Sequence, residues 1–153
     1  MPTALDTERE DPLVGFLFAL DVQGVITGYF TECTGIGSET DVSEQKVVNE
    51  KGVQVVLKVP GRLKWGDITL KRGLTSNTEL WDWRKMVEDG DVKSARKNGT
   101  ITMFDQSLTP KAQWEFKNAW PSKVSGPSPK SDGNDIQVEE LTIVHEYITR
   151  IKV

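Results

Sequence analysis

The chain has 153 residues, of which 37% are hydrophobic and 27% are charged, and its formal net charge is −4 at pH 7. This size and balance predict one soluble domain, large enough to enclose a hydrophobic core. The acidic excess argues against general nucleic-acid binding, because neutralising phosphates requires clustered cations.

Targeting signals and cysteine content indicate where the protein is made. No apolar run approaches the roughly 20 residues that span a bilayer. The opening residues, MPTALDTEREDP, lack the basic start and apolar centre of a secretory signal. A single cysteine, Cys33, excludes an internal disulfide. We therefore expect assembly in the cytoplasm, without a membrane segment, and release by another route such as lysis.

The first part of the chain predicts an arm and two strands. Residues 1–12 are polar and acidic, which favours a flexible arm. In residues 14–21 every second residue is large and apolar (Val14, Phe16, Phe18 and Leu20), which predicts a strand that turns Phe16 and Phe18 toward the core. Residues 25–32 predict a second strand.

Residues 38–59 predict a long extended hairpin. The first arm, residues 38–50, is polar and almost free of glycine and proline, whereas residues 53–59 are strongly strand-like. The tip is expected at residues 50–52. The first arm has too few apolar residues to lie on a core of its own. We interpret the hairpin as an extension buried on neighbouring subunits; the alternative is a solvated loop followed by one strand.

A strand and the predicted helix follow. Within KWGDITLKRGLT (residues 64–75), residues 67–71 alternate in polarity, as a half-buried strand does. Ser76 precedes Glu79 by three residues, a spacing typical of a capping box, and predicts a helix over residues 77–88. Three residues of this region are expected in the core: Leu70, Leu80 and Trp83.

The last third predicts three more strands, over residues 100–104, 112–120 and 135–153. In the second of these, two core residues are expected: Trp114 and Phe116. Residues 121–134 contain three prolines and two glycines and predict a loop, and Glu139–Glu140 suggests a bulge in the final strand. The whole pattern predicts a mainly β fold, an antiparallel sandwich or small barrel with one flanking helix.

Three ordered segments carry a family likeness. They are KWGDITLKRGLT with LWDW (within residues 64–83), WEFKNAWPSKVSGPSP (residues 114–129) and DIQVEELTIVHE (residues 135–146). Over residues 14–145 the chain resembles the tail-tube proteins of contractile phages and of phage-tail-like contractile injection systems. It departs mildly at ECTGI (residues 32–36), where size and polarity are kept.

The resemblance implies a structural function in a virion tail or a released extracellular injection particle. The chain would be the inner tube subunit, stacked as hexameric rings with a β-barrel lumen that carries DNA or protein cargo. Implied partners are a sheath protein, baseplate or spike proteins, and a tube cap. One alternative is a paralogue that starts the tube at the baseplate. Another, of a different class, is a carbohydrate- or ligand-binding β-sandwich that uses its tryptophans.

If the chain forms a tube, the alternation of apolar and polar residues along the hairpin divides its side chains into two sets, one for subunit contacts and one for the lumen. Contacts between subunits are expected from six apolar residues: Val42, Val47, Val48, Val53, Val55 and Leu57. Positions facing the lumen are expected for four polar residues: Ser43, Gln45, Gln54 and Lys58. A slip of one residue in the register would invert these assignments.

The sequence predicts no catalytic, cofactor or metal site. His145 is the only histidine, and a packed structural role is expected for it. Cys33 has no histidine nearby in sequence to activate it, so a small buried side chain is expected. Gly35 and Gly37 lack the third glycine and the helix start of a phosphate-binding loop. We therefore expect a protein that is not an enzyme.

Overall fold

The computed structural model describes residues 16–127 and 137–153, so the expected arm, residues 1–12, lies outside the described residues. The strands are β1 (Leu17–Val22), β2 (Ile26–Phe30), β3 (Glu32–Thr34), β4 (Ser38–Val48), β5 (Gln54–Trp65), β6 (Ile68–Gly73), β7 (Lys97–Phe104), β8 (Pro110–Ser125), β9 (Val138–Val144) and β10 (Tyr147–Ile151). The helices are α1 (Glu79–Glu88) and α2 (Val92–Ala95). The expected mainly antiparallel β fold is confirmed, and α2 adds a short helical segment that was not predicted.

Eight strands form one sheet that curls into a small barrel. Their order is β2-β1-β7-β8-β9-β6-β3, with β10 paired to β8. The two end strands, β2 and β3, are consecutive in the chain and only Thr31 separates them. Thr31 N–H donates to the Lys71 carbonyl on β6 over 2.9 Å. The bent β2–β3 segment therefore pairs with β1 on one side and β6 on the other, which closes the sheet on itself.

One cluster of buried side chains forms the core. Its members come from the barrel strands and both helices: Leu20, Val22, Phe30, Ile68, Leu70, Leu80, Trp83, Ala95, Ile101, Phe116, Ala119, Leu141, Ile143 and Ile148. This cluster includes Leu70, Leu80, Trp83 and Phe116, which the sequence assigned to the core. Partly buried residues pack against it, among them Phe18 and Trp114.

Phe16 is a correction to the predicted core, because 49% of it is exposed. Strand β1 begins only at Leu17, and its first residue pairs with Phe104, the last residue of β7. Phe16 therefore lies beyond the end of the ladder, where neither neighbouring strand continues to cover it. The strand alternation that assigned it to the core does not extend to this position.

Helix α1 is held against the barrel by specific contacts. Leu80 and Trp83 are its buried residues. The Trp83 indole N–H donates to the Ala95 carbonyl over 2.7 Å, which ties α1 to α2. Arg84 donates to the Pro121 carbonyl of β8 over 3.1 Å. The expected capping box is not formed, since the side chain of Asn77, rather than Ser76, accepts the Glu79 N–H at 2.9 Å.

The last strands differ from the prediction in three places. The single strand expected over residues 135–153 is divided into β9 and β10, which pair with different stretches of β8. β8 continues through Pro121 to Ser125, with a register shift between Pro121 and Lys123, so the predicted loop begins later. Glu139 does not start a bulge, because it pairs in register with Arg72 of β6. Among the described helices, neither is long and apolar enough to cross a membrane.

Candidate assembly surface

The predicted hairpin is present and stands apart from the barrel. Among the strands that the structure describes, β4 and β5 pair only with each other, as a separate two-stranded antiparallel sheet. Almost every residue of both strands is exposed in the single chain. At the tip, the Asn49 side-chain carbonyl accepts the backbone N–H groups of Lys51 and Val53 at 2.9 and 3.0 Å. The tip is thus a fixed turn on a strand pair that buries little within its own chain.

A bulge divides the hairpin. β4 has one residue between the pairs Thr40–Leu63 and Val42–Pro60, whereas β5 has two. The extra residue of β5 lies at Gly61 and Arg62, opposite Asp41. A Cβ at Gly61 would lie 3.1 Å from the Asp41 carbonyl oxygen, which favours glycine there. Because one extra residue shifts the alternation, side chains of β5 change faces at this point.

Between the bulge and the tip, the two faces differ in charge. Residues directly opposite each other in an antiparallel ladder share a face, and successive residues alternate between faces. One face, here called the uncharged face, consists of Ser43, Gln45, Val47, Val55, Leu57 and Val59. The other, called the charged face, consists of Val42, Glu44, Lys46, Val48, Gln54, Val56, Lys58 and Pro60. Glu44 and Lys58 are directly opposite on the charged face.

This register corrects the predicted lumen set. Gln54 and Lys58 lie on the charged face, but Ser43 and Gln45 lie on the uncharged face, opposite Val59 and Leu57. The four residues therefore point in two opposite directions and cannot all face one lumen. The error came from pairing the two arms without the true register, which sequence alternation alone does not give.

The predicted subunit-contact set is also divided. Val47, Val55 and Leu57 are on the uncharged face, whereas Val42 and Val48 are on the charged face. The sixth, Val53, follows the turn at the tip, where it is 55% exposed. The exposed valines at the tip, Val48 (68%) and Val53, have little cover in the single chain.

The base of the hairpin is fastened to the barrel through aromatic contacts. The Trp65 ring lies 5.9 Å from the His145 ring and 5.5 Å from the Tyr147 ring, between centroids. His145 Nε2 is 3.0 Å from the Gly66 carbonyl oxygen, and the residue is 9% exposed. Burial lowers the pKa of His145 below its ordinary value, although the Gly66 carbonyl and Asp67 oppose this. His145 is thus a packed structural residue at the hairpin base.

A buried charge network lies between the barrel and α1. Arg72 Nε donates to Glu139 Oε2 over 3.1 Å, and the Trp81 indole N–H donates to Glu139 Oε1 over 3.1 Å. The guanidinium also lies 5.1 Å from the centre of the Phe30 ring. The sequence prediction missed this network, although an arginine and a glutamate inside two strand-like segments were its visible signal.

Two further observations concern groups that could bind a metal or act as a nucleophile. Within residues 16–127 and 137–153, no three His, Cys, Asp or Glu side chains group as metal ligands would. Burial raises the pKa of the Cys33 thiol to about 12, so the thiolate nucleophile is scarce at neutral pH.

The T4-like virus tail tube protein gp19 family model matches residues 14–149. The chain belongs to this family. Among curated protein sequences, none matches the chain.

Solved structures share the tail tube fold. A chain of the PVC extracellular contractile injection system, from its sheath–tube complex in the extended state, is 26% identical with a TM-score of 0.74, and the match covers 100% of this chain and 99% of that one. A chain of the PVC sheath/tube terminator is 28% identical with a TM-score of 0.74, over 88% and 93% of the two chains. Hcp1 from Flavobacterium johnsoniae is 18% identical with a TM-score of 0.54, over 88% and 94%, and shows the fold alone.

Proposed function

We propose that this chain is the structural subunit of the inner tube of a contractile phage tail or a related injection system. Copies form rings of six, the rings stack into a hollow tube, and the tube stands inside a sheath. Membership of the tail tube family supports this role. The role is mechanical, because contraction of the sheath drives the tube and the subunit turns over no substrate.

The observation that carries the proposal is the exposed hairpin. A two-stranded ribbon alone is marginally stable in water and leaves unpaired N–H and C=O groups along both outer edges. Within residues 16–127 and 137–153, β10 likewise pairs on one side only, with β8. Neighbouring copies that cover these edges satisfy the backbone groups and bury the apolar side chains. The chain thus has the features of a subunit completed by its neighbours.

A tube needs two kinds of contact between copies. One is a head-to-tail contact that closes into a ring, and the other stacks rings without closing. The barrel body and the projecting hairpin supply separate surfaces for these two contacts. Residues 38–59, the predicted inter-subunit segment, serve this purpose, with the remainder of the chain as one tail-tube domain.

The two faces of the hairpin have different roles in this proposal. The charged face lines the lumen, where opposed Glu44 and Lys58 give a wet wall that cargo of either sign can slide along. The uncharged face packs on neighbouring copies, because burial of Leu57 and its neighbours is favourable whereas burial of Lys58 is costly. Gln54 and Lys58 therefore keep the lumen role, and Ser43 and Gln45 join the subunit contact.

The partners follow from the assemblies that contain similar chains. Those structures are described as a sheath–tube complex, a sheath/tube terminator, a tube terminating cap and a baseplate. We propose the same classes of partner here: a sheath around the tube, a baseplate below it and a cap above it. The lumen carries the cargo.

Negative-stain electron microscopy of the purified protein tests the proposal. We expect rings or hollow rods at high protein concentration. A variant in which an Asn-Gly turn replaces residues 43–59 should remain a folded monomer and form no rods, since Val42 and Pro60 are already paired across the ladder. A wild-type protein that stays monomeric at every concentration contradicts the proposal, and so does rod formation by the variant.

A second candidate within the family is a terminating or initiating paralogue. The chain is 28% identical to a chain of the PVC sheath/tube terminator, and this similarity supports the second candidate. Such a paralogue adds one ring to an existing tube and does not polymerise by itself. Mixing the protein with its cognate tube subunit separates the two: a single added ring at one end indicates the paralogue, and incorporation along the whole rod indicates the main subunit.

A further inference from the structure

The hairpin is attached to the barrel through a few residues at its base. Trp65, the last residue of β5, is the only residue of either hairpin strand that packs against the core within the part of the chain that the structure describes. Ile36, just before β4, packs against the core as well. The Gly66 N–H donates to the Gly37 carbonyl over 3.1 Å and so joins the two ends of the hairpin. The angle between hairpin and barrel therefore depends on these few contacts.

Glycines make this base a pivot. The segments that enter and leave the hairpin cross at Gly35 and Gly66, where a Cβ on Gly66 would lie 2.6 Å from the Gly35 carbonyl oxygen. Gly35 has a φ of +89°, and a Cβ there would overlap the Asp67 carbonyl. Gly37, in contrast, has no described atom within 4 Å of its Cβ position. The crossing holds the two segments together, and Gly37 leaves the backbone beside it free to rotate.

His145 fixes the angle of this pivot. Its ring lies against Trp65, with 5.9 Å between the ring centroids, and Tyr147 contacts Trp65 from 5.5 Å. His145 Nε2 lies 3.0 Å from the Gly66 carbonyl oxygen. A carbonyl only accepts hydrogen bonds, so this contact assigns the ring proton to Nε2. One imidazole thus contacts both residues that connect β5 to the barrel.

The neutral form of His145 fits the closed base and the charged form does not. Nδ1 is buried, and among the described residues it has no hydrogen-bond partner. A proton on Nδ1 would add a buried, charged N–H without an acceptor, which is unfavourable. Burial accordingly lowers the pKa of His145, and the smaller opposing effects of the Gly66 carbonyl, Asp67 and the Tyr147 backbone do not offset it.

The charged groups described around this ring do not provide a strong counterion. The Asp67 carboxylate favours the charged ring, but Asp67 is exposed, so water and salt screen it. Other charged side chains nearby have partners of their own. Glu146 accepts from Asn118 over 2.8 Å, Lys117 Nζ lies 5.7 Å from the Tyr147 ring centre, and Lys64 pairs with Asp41 at 3.2 Å.

We infer that the hairpin base is a hinge that mild acid releases. Protonation of His145 separates its ring from Gly66 and Trp65, and the hairpin then swings about the crossing of Gly35 and Gly66 while the barrel stays folded. At neutral pH the hairpin is held at one angle, and in mild acid its angle varies. The inference goes beyond the proposed function and concerns the single chain, so it can fail while the tube role stands.

Hydrogen–deuterium exchange of the dilute, monomeric protein tests the local release. Mass spectrometry follows peptides covering residues 62–68 at the base and residues 98–104 in the barrel, with rates corrected for intrinsic exchange at each pH. If the released ring has the ordinary pKa of about 6.5, opening of the base rises by at most about thirtyfold between pH 7.5 and pH 5. We expect at least about tenfold at the base and less than about twofold in the barrel. Equal changes in the two peptides, or none at the base, overturn the inference.

His145→Gln is the matched control. The glutamine amide can donate to the Gly66 carbonyl but gains no charge in acid. Its base peptide should exchange at nearly the same corrected rate at both pH values, and an increase as large as that of wild type overturns the inference.

Proton NMR follows the titration directly, because His145 is the only histidine of the chain. In tag-free protein the imidazole signals should have a midpoint below the ordinary value of about 6.5. A midpoint at or above that value is the contrary result, because the closed base would then favour the charged ring.

Spin labels measure the swing itself. They are attached to the exposed positions of Gln54→Cys on β5 and Lys93→Cys on α2, in a Cys33→Ala background. Double electron–electron resonance should give a narrow distribution of distances at pH 7.5 and a broader one at pH 5. The same labels with His145→Gln should give a narrow distribution at both. A distribution that stays narrow at pH 5 with His145 present overturns the inference.

Discussion

Arg72 of β6 and Glu139 of β9 are directly opposite in the ladder and form a buried ion pair, with 3.1 Å between Nε and Oε2. Their side chains are 7% and 2% exposed. Glu139 also accepts the Trp81 indole N–H, so the pair connects the barrel to α1. Removing one partner leaves a charge without water or counterion.

We predict that Glu139→Leu lowers the free energy of unfolding by about 3–5 kcal/mol. The double variant Arg72→Met with Glu139→Leu should lose less than the single variant, because no lone charge remains. Urea denaturation followed by tryptophan fluorescence measures both values. A double variant less stable than Glu139→Leu alone contradicts this account of the pair.

Trp83→Ala should destabilise the fold by about 3–5 kcal/mol. The side chain is fully buried, and its indole N–H donates to the Ala95 carbonyl. Insoluble protein, rather than a stable monomer, is the expected product on expression. Trp83→Phe keeps most of the volume and should cost about 1–3 kcal/mol, the cost of leaving one buried carbonyl without a donor. Thermal unfolding of the soluble variants tests whether Trp83→Ala is more destabilising than Trp83→Phe.

The pH dependence of stability should include a contribution from His145. Its pKa is lowered in the folded state, mainly by burial, so the folded chain binds the proton more weakly than the unfolded chain. Stability is therefore greatest above the unfolded pKa, about 6.5, and falls as pH drops through that value toward the folded pKa. His145→Gln should lose less melting temperature between pH 7.5 and pH 5 than wild type. A larger loss of melting temperature in His145→Gln than in wild type would mean that His145 stabilises the fold on acidification, which contradicts the prediction.

Cys33 should resist maleimide labelling in the folded protein. Its thiol pKa of about 12 leaves almost no thiolate at pH 7.5, and the side chain is partly buried. In concentrated guanidinium chloride it should label within minutes. Mass spectrometry before and after denaturation measures the difference, and rapid labelling of the native protein is the contrary outcome.

Substitutions at two adjacent residues of β5 test which face of the hairpin packs on neighbouring copies. Val56 and Leu57 are 50% and 47% exposed in the single chain, so Val56→Lys and Leu57→Lys should affect the monomer equally. Val56 is on the charged face and Leu57 on the uncharged face. Leu57→Lys should abolish rods, because burying an unpaired ammonium costs several kcal/mol per contact, whereas Val56→Lys should assemble. Electron microscopy of both variants shows which of them forms rods. Rods formed by Leu57→Lys and not by Val56→Lys would mean that the roles of the two faces are exchanged.

Sequence patterns were sufficient for the elements whose signals are local. The hairpin, α1 and the burial of Leu80 and Trp83 follow from alternation, turn residues and helical spacing. The family likeness added the fold and the tube role, which the family match confirms.

Features that depend on pairing between distant residues were not predictable in the same way. The bulge at Gly61 and Arg62 is invisible to alternation, yet it decides which side chains share a face. The Arg72–Glu139 pair joins residues 67 positions apart. Phe16 was assigned to the core from the pattern of its own segment. That pattern carries no information about where β7 ends, so the error was not visible in the sequence.

The uncharged face has a cost for a subunit that has no neighbours. Leu57 and Val59 are then exposed to water, and both outer edges of the β4–β5 ribbon are unpaired among the described residues. Such a ribbon adheres to any similar ribbon, so the lifetime of the free subunit shortens as its concentration rises. Synthesis of this chain must therefore be matched to the supply of growing ends that consume it.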